Sequence, residues 1–116
     1  MNGGIEWIVD AHGCDPARLR DPKTVCAVLD RVVADLDLRV VGQPQVHAFD
    51  GPGGVTALYL LTESHLCCHT YPESGVATFN LYCCRERPSW PWADVLAAVL
   101  GARRVDVRRE ARGGGS

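Results

Sequence analysis

Between Leu61 and Glu73 the chain reads Leu-Thr-Glu-Ser-His-Leu-Cys-Cys-His-Thr-Tyr-Pro-Glu, which places a hydroxyl, imidazoles, thiols and carboxylates side by side. Ser64 beside His65, with His69 further on, offers a nucleophile and a base, the ingredients of acyl chemistry. A serine hydrolase is one reading. It lacks a Gly-x-Ser-x-Gly elbow, and neighbours on a strand, such as Ser64 and His65, point to opposite faces. The other reading is a polar break whose groups close the ends of two strands. Polar groups in an apolar stretch are costly unless partnered, so in either case this stretch needs a built environment. From the residues alone both readings stand.

The flanking elements are short and regular. Ile5 to Ala11 alternates apolar and polar and predicts a strand. Asp15-Pro16 and Asp21-Pro22 each pair a capping aspartate with proline at the first helical position; Pro22 divides a helical stretch reaching about Leu36 into a short turn and a main helix. Leu38 to Phe49 predicts a strand broken at Gly42 and Pro44, Asp50 to Gly54 a loop, and Val55 to Leu61 a strongly apolar strand. The glycines of that loop lack the Lys-Ser/Thr ending and following helix of a phosphate cradle. Strands are expected over Leu66–Tyr71 and Val76–Cys84, and a helix over Trp92–Leu100 capped by Ser89. A last strand is expected over Arg103–Arg109, then a flexible tail over Arg112–Ser116. The order β-α-β-β-β-β-α-β predicts an α+β two-layer sandwich, an antiparallel sheet covered on one face by two helices. The uncovered face invites a second copy of the chain.

At 116 residues the chain makes one domain, 1–116, and its net charge of -2 gives no case for nucleic acid or an anionic membrane. No apolar run reaches the roughly 20 residues of a membrane span, and the opening Met1-Asn2-Gly3-Gly4 does not read as a signal peptide. A cytoplasmic protein is expected. The six cysteines form no Cys-x-x-Cys pair, so no metal site is expected and most read as buried thiols.

Glu63-Ser64-His65-Leu66 followed by His69-Thr70-Tyr71-Pro72-Glu73 resembles the processing segment of the prokaryotic S-adenosylmethionine decarboxylases, Glu-Ser-His-x-x-x-His-Thr-Trp-Pro-Glu. The resemblance extends over nearly the whole chain: Gly13-Cys14-Asp15-Pro16, Gly54-Val55-Thr56, Phe79 to Cys84 and Trp92 to Val107 all have counterparts. It implies self-cleavage between Glu63 and Ser64 into a β chain, 1–63, and an α chain, 64–116. Ser64 Oγ would attack the Glu63 carbonyl to give an ester, and elimination and loss of ammonia would leave a pyruvoyl group derived from Ser64. That group, condensed with the substrate amine, withdraws electrons from the carbon losing carboxylate.

The same resemblance implies roles. His69 assists processing by proton transfer, Thr56 supplies a processing hydroxyl, and Cys84 is the proton donor in decarboxylation. Phe49 and Tyr71 stack the adenine of S-adenosylmethionine, and Glu73 binds ribose. The product would be the aminopropyl donor of polyamine and spermidine synthesis, and the enzyme a homodimer of cleaved protomers with sites at the subunit interface. Asn80 stands where the family has aspartate and Arg85 where it has glycine, which alters the charge met by a cationic substrate. The alternatives are the same machinery acting on ornithine or arginine, and a non-catalytic regulatory paralogue.

Overall fold

Alternation of apolar and polar residues makes six strands with one dry face. The computed structural model describes residues 3–114. Its strands are β1 (Gly4–His12), β2 (Gln45–Ala48), β3 (Val55–Leu61), β4 (Ser64–Tyr71), β5 (Val76–Cys83) and β6 (Arg104–Arg112). They form one antiparallel sheet in the order β2-β3-β4-β5-β1-β6. Three helices lie on one face: α1 (Pro16–Leu19), α2 (Pro22–Asp35) and α3 (Trp92–Leu100). The α+β two-layer architecture is the one expected.

The dry face carries Trp7 and Val9 of β1, Ala57 and Tyr59 of β3, Leu66 and Cys68 of β4, and Phe79 and Leu81 of β5, all buried. Against them α2 sets Val25, Val28, Leu29 and Val32, each fully buried, and each such side chain contributes about 1.5–3 kcal/mol on leaving water. The Tyr59 hydroxyl donates to Asp30 at 2.7 Å and Trp90 Nε1 to Asp35 at 2.9 Å, pinning α2 to the sheet and to the α3 approach. Burial, then the Asp30 bond, raise the Tyr59 pKa and keep this phenol neutral.

Asp15 accepts from Ala17 N at 3.0 Å and Asp21 from Lys23 N at 3.2 Å, so both Asp-Pro caps form and the helix is split at Pro22. Four local expectations change. The cap of α3 is Pro91 without a side-chain bond, not Ser89, because Trp90 turns into the core. The expected strand over Leu38–Phe49 shrinks to β2 plus a single bridge from Val40 to Leu61, since Gly42 takes φ 71. The strand β4 begins at Ser64 rather than Leu66, and β6 runs on to Arg112 into the expected tail. Gly115 and Ser116 of that tail, and Met1 and Asn2 at the start, lie outside the described residues.

Candidate active site

The register fixes which side chains share the open face. One rung across the sheet is His47–Thr56–His69–Thr78–Asp10, the next Leu58–Cys67–Asn80–Ile8, the next Leu60–His65–Tyr82–Glu6. A shallow cavity of about 340 Å³ lies over the middle, lined by Ile8, Asp10, Thr56, His69, Thr78 and Asn80 among others.

At one end of this face sit four of the residues singled out in the sequence. Thr56 Oγ1 and His69 Nδ1 are 2.6 Å apart, as cross-strand partners of β3 and β4. The ring of Phe49 lies 5.9 Å from His69 and that of Tyr71 4.5 Å, both edge-on. Phe49 and Tyr71 are 47% and 41% exposed, so neither belongs to the core. Glu73 follows, exposed, on a 3₁₀ turn, Pro72–Ser74, that Pro72 anchors by its burial. The preceding loop is anchored by buried Thr70, whose hydroxyl accepts from Val55 N at 2.9 Å and donates to Leu19 O at 2.7 Å. A Cβ at Gly54 would fall 2.1 Å from Thr70 O, so only glycine admits this close approach.

At the other end Thr62 and Glu63 make a two-residue turn between β3 and β4. Neither has positive φ; instead Ser64, the next residue, takes φ 147. Non-glycine residues rarely hold such a backbone, and it costs on the order of 1–3 kcal/mol. The distortion cancels the alternation expected of neighbours on a strand. Ser64 Oγ lies 3.2 Å from His65 Nδ1, the opposite of what strand geometry alone implies.

The rest of this end surrounds the Glu63–Ser64 bond. The Glu63 carbonyl accepts from Cys84 N at 2.9 Å. The Glu63 side chain is 7% exposed and meets Arg87 through two parallel bonds, Nε to Oε1 at 3.0 Å and Nη2 to Oε2, with Arg85 3.8 Å away. Arg87, chiefly, holds the Glu63 carboxyl below the usual carboxylate range against the opposing effect of burial. Arg87 Nη1 also donates to Leu36 O at 3.2 Å, tying the turn to the end of α2. Cys83 faces the core, where burial and then Glu63 push its thiol up to about 12. Cys84 is exposed and lines a second cavity of about 570 Å³ with Gly3, Gly4, Tyr82 and Arg85.

The sequence-derived residues therefore gather in two groups, Glu63, Ser64 and Cys84 at one end of the open face and Phe49, Thr56, His69 and Tyr71 at the other. Ser64 and His69 stand five positions apart along β4, about 16 Å of strand. One chain does not bring them together.

A family model described as S-adenosylmethionine decarboxylase matches residues 5–113. The chain belongs to the S-adenosylmethionine decarboxylase family. Curated relatives share that name. The S-adenosylmethionine decarboxylase proenzyme of Picrophilus torridus is 30% identical over 111 residues, 95% of this chain and 84% of the relative. That of Symbiobacterium thermophilum is 38% identical over 100 residues, 85% of this chain and 74% of its own. The crystal structure of the adenosylmethionine decarboxylase of Aquifex aeolicus superposes with a TM-score of 0.79 at 26% identity, covering 99% of this chain and 94% of that one. Within this S-adenosylmethionine decarboxylase fold, sequence reasoning missed Arg87 and the contact of His65 with Ser64. Arg87 pairs with a residue 24 positions away and carries no local signal; the His65 contact depends on one dihedral angle.

Proposed function

We propose that this chain is a self-processing, pyruvoyl-dependent decarboxylase of S-adenosylmethionine, a proenzyme cleaved between Glu63 and Ser64. The observation that carries the reading is the turn itself. Ser64 is held at φ 147, its carbonyl neighbour Glu63 is fixed through both main chain and side chain, and an imidazole stands at its hydroxyl. Strained backbone beside a nucleophile favours an N-to-O acyl shift, since opening the peptide relieves the strain. That the relatives are named proenzymes supports the same reading.

Ser64 suits the origin of a pyruvoyl group, because its hydroxyl and its amide both lie on the turn to be opened. Once formed, that group supplies a carbonyl able to draw electrons from an α-carbon losing carboxylate. The chain's own residues frame it: His65 and Tyr82, with rings 5.7 Å apart, line one side, and the exposed Cys84 thiol follows Tyr82 on the same face as proton donor.

The separation of the two groups along β4 points to a homodimer. If two copies lay open face to open face about a two-fold axis, the His69, Thr56, Phe49, Tyr71 and Glu73 end of one would meet the Ser64 and Cys84 end of the other. The open face also exposes Leu58 and Leu60, 45% and 56% accessible, which a partner would cover. In this arrangement Phe49 and Tyr71 stack the adenine and Glu73 takes the ribose. No helix among the described residues is long and apolar enough to cross a membrane; the six free thiols fit a reducing compartment such as the cytoplasm.

Intact mass spectrometry of the purified protein tests the reading. Two fragments, 1–63 and 64–116, with the second lacking ammonia at its start, are expected. A single uncleaved chain after long incubation refutes it. Carbon dioxide release from labelled S-adenosylmethionine, ornithine and arginine then assigns the substrate.

A further inference from the structure

We propose that His65, which meets Ser64 within its own chain, rather than His69, which only a partner copy could bring there, is the base that activates Ser64 for self-cleavage, and that Asn80, Glu6 and Arg112 position it. The proposal rests on the self-cleavage reading and adds the group that starts it. Ser64 Oγ lies 3.2 Å from His65 Nδ1. His65 Nε2 lies 2.8 Å from Asn80 Oδ1, and Asn80 Nδ2 donates to Glu6 Oε2 at 2.7 Å. Arg112 Nη1 completes the line, donating to Glu6 Oε1 at 2.5 Å.

Each link fixes the next. Glu6, ion-paired with Arg112, is a carboxylate and only accepts. The Asn80 amide must therefore turn its NH₂ toward Glu6, which leaves its carbonyl oxygen toward His65. A carbonyl oxygen also only accepts, so the proton of a neutral His65 sits on Nε2. Nδ1 is then a bare lone pair aimed at the Ser64 hydroxyl. The chain sets the tautomer by hydrogen bonding across β1, β4, β5 and β6, without any residue adjacent in sequence taking part.

In the step this allows, the Oγ proton passes to Nδ1 while the Oγ to Glu63 carbon bond forms. The carbonyl oxygen, as it gains charge, already accepts from Cys84 N at 2.9 Å. The bond from that carbon to Ser64 N then breaks, and the proton on Nδ1 goes to the departing amine. Atoms and charge balance with no added reagent, and the product is the ester. The partner's His69, brought to this turn in the homodimer, is left free for the later removal of the Ser64 α-proton.

The identity of residue 80 gives the proposal its distinguishing test. A carboxylate there would favour the protonated imidazole, which cannot accept the Oγ proton. The other groups facing His65 are Glu6 from β1, Glu110 and Arg112 from β6, Tyr82 from β5 and Cys67 from its own strand, with only Leu60 from β3; Glu63, Arg85 and Arg87 flank the turn. All are retained in Asn80→Asp.

Freshly folded full-length proenzyme is followed by intact mass against time across a range of pH, for wild type, His65→Ala and Asn80→Asp. Wild type is expected to cleave. His65→Ala should cleave at least roughly a hundredfold more slowly, form no ester trappable by hydroxylamine, and recover in part with added imidazole. Asn80→Asp should cleave, with the acidic limb of its rate profile displaced upward by about one pH unit. If wild type cleaves and His65→Ala matches its rate, or if the Asn80→Asp limb does not move, the role of His65 is overturned while self-cleavage stands. If His65→Ala does not fold, the Asn80→Asp profile alone decides. If wild type itself stays intact, the self-cleavage reading fails and this one with it.

Discussion

Replacing Arg87 with alanine should cost the fold more than any other single change at the turn. Arg87 is 13% exposed in its side chain and Glu63 7%, so the pair is nearly dry. Removing the guanidinium leaves a largely buried carboxylate without its main partner, and breaking a buried pair costs about 3–5 kcal/mol. Arg85, 3.8 Å away but 61% exposed, recovers only a little. The Leu36 carbonyl also loses a donor. A loss of about 3 kcal/mol is expected, a drop in Tm on the order of 10 °C for a chain of this size.

The pH dependence adds a second signature. The folded pKa of Glu63 lies below its ordinary value of 4.5, first because of Arg87. The stabilisation is therefore whole above the unfolded value and is lost as pH falls through the lower folded one. Arg87→Ala should flatten that acid limb. The measurement is urea and thermal unfolding in a Ser64→Ala background, so that every sample is a single uncut chain. Replacing Glu63 and Arg87 together by leucine should restore much of the loss, because no charge is left buried. A loss below about 1 kcal/mol, or an acid limb identical to the parent, refutes the clamp.

Cys84→Ala should cleave normally yet decarboxylate at least roughly a hundredfold more slowly, read by labelled carbon dioxide release; full turnover would exclude the thiol as proton donor. Phe49→Ala and Tyr71→Ala should each raise KM about tenfold with little change in cleavage, since stacking on one ring is worth about 1–3 kcal/mol; unchanged KM would remove them from the substrate site. Gly54→Ala should lower stability by about 1–3 kcal/mol in urea unfolding, because its Cβ meets Thr70 O at 2.1 Å; parental stability would mean the loop moves aside freely.

Mixing Ser64→Ala with His69→Ala proenzymes tests the shared site. The His69→Ala chain should be cut by the histidine of its Ser64→Ala partner, giving fragments that neither protein yields alone. No fragments in the mixture would place processing within one chain.

The elements were legible in the sequence because their causes are local. Alternation wrote the strands, and Asp15-Pro16 and Asp21-Pro22 wrote the helix starts. What stayed hidden depends on contacts far apart in the chain or on a single torsion. Nothing near Ile5 announces that β1 lies between β5 and β6. The rule that neighbours on a strand face apart fails at Ser64 because φ there is 147. Asn80 looked like a lost acid; in the structure it is a two-sided amide joining a carboxylate to an imidazole. Nothing in the sequence signalled that Thr56, His69 and Tyr71 would lie together at the far end of the face from Ser64.

The placement of β1 also decides what a cut chain can do. Residues before the turn supply β1, β2 and β3, and those after it supply β4, β5 and β6. In the sheet order β2-β3-β4-β5-β1-β6 the two pieces interleave, with β1 flanked on both sides by strands of the other piece. The proposed cleavage between Glu63 and Ser64 would convert three ladders, β3 with β4, β5 with β1 and β1 with β6, into contacts between separate molecules. The intact precursor refolds as one chain at a rate independent of concentration. The cut form, once denatured, has to find its other half by diffusion, so its recovery should depend on dilution.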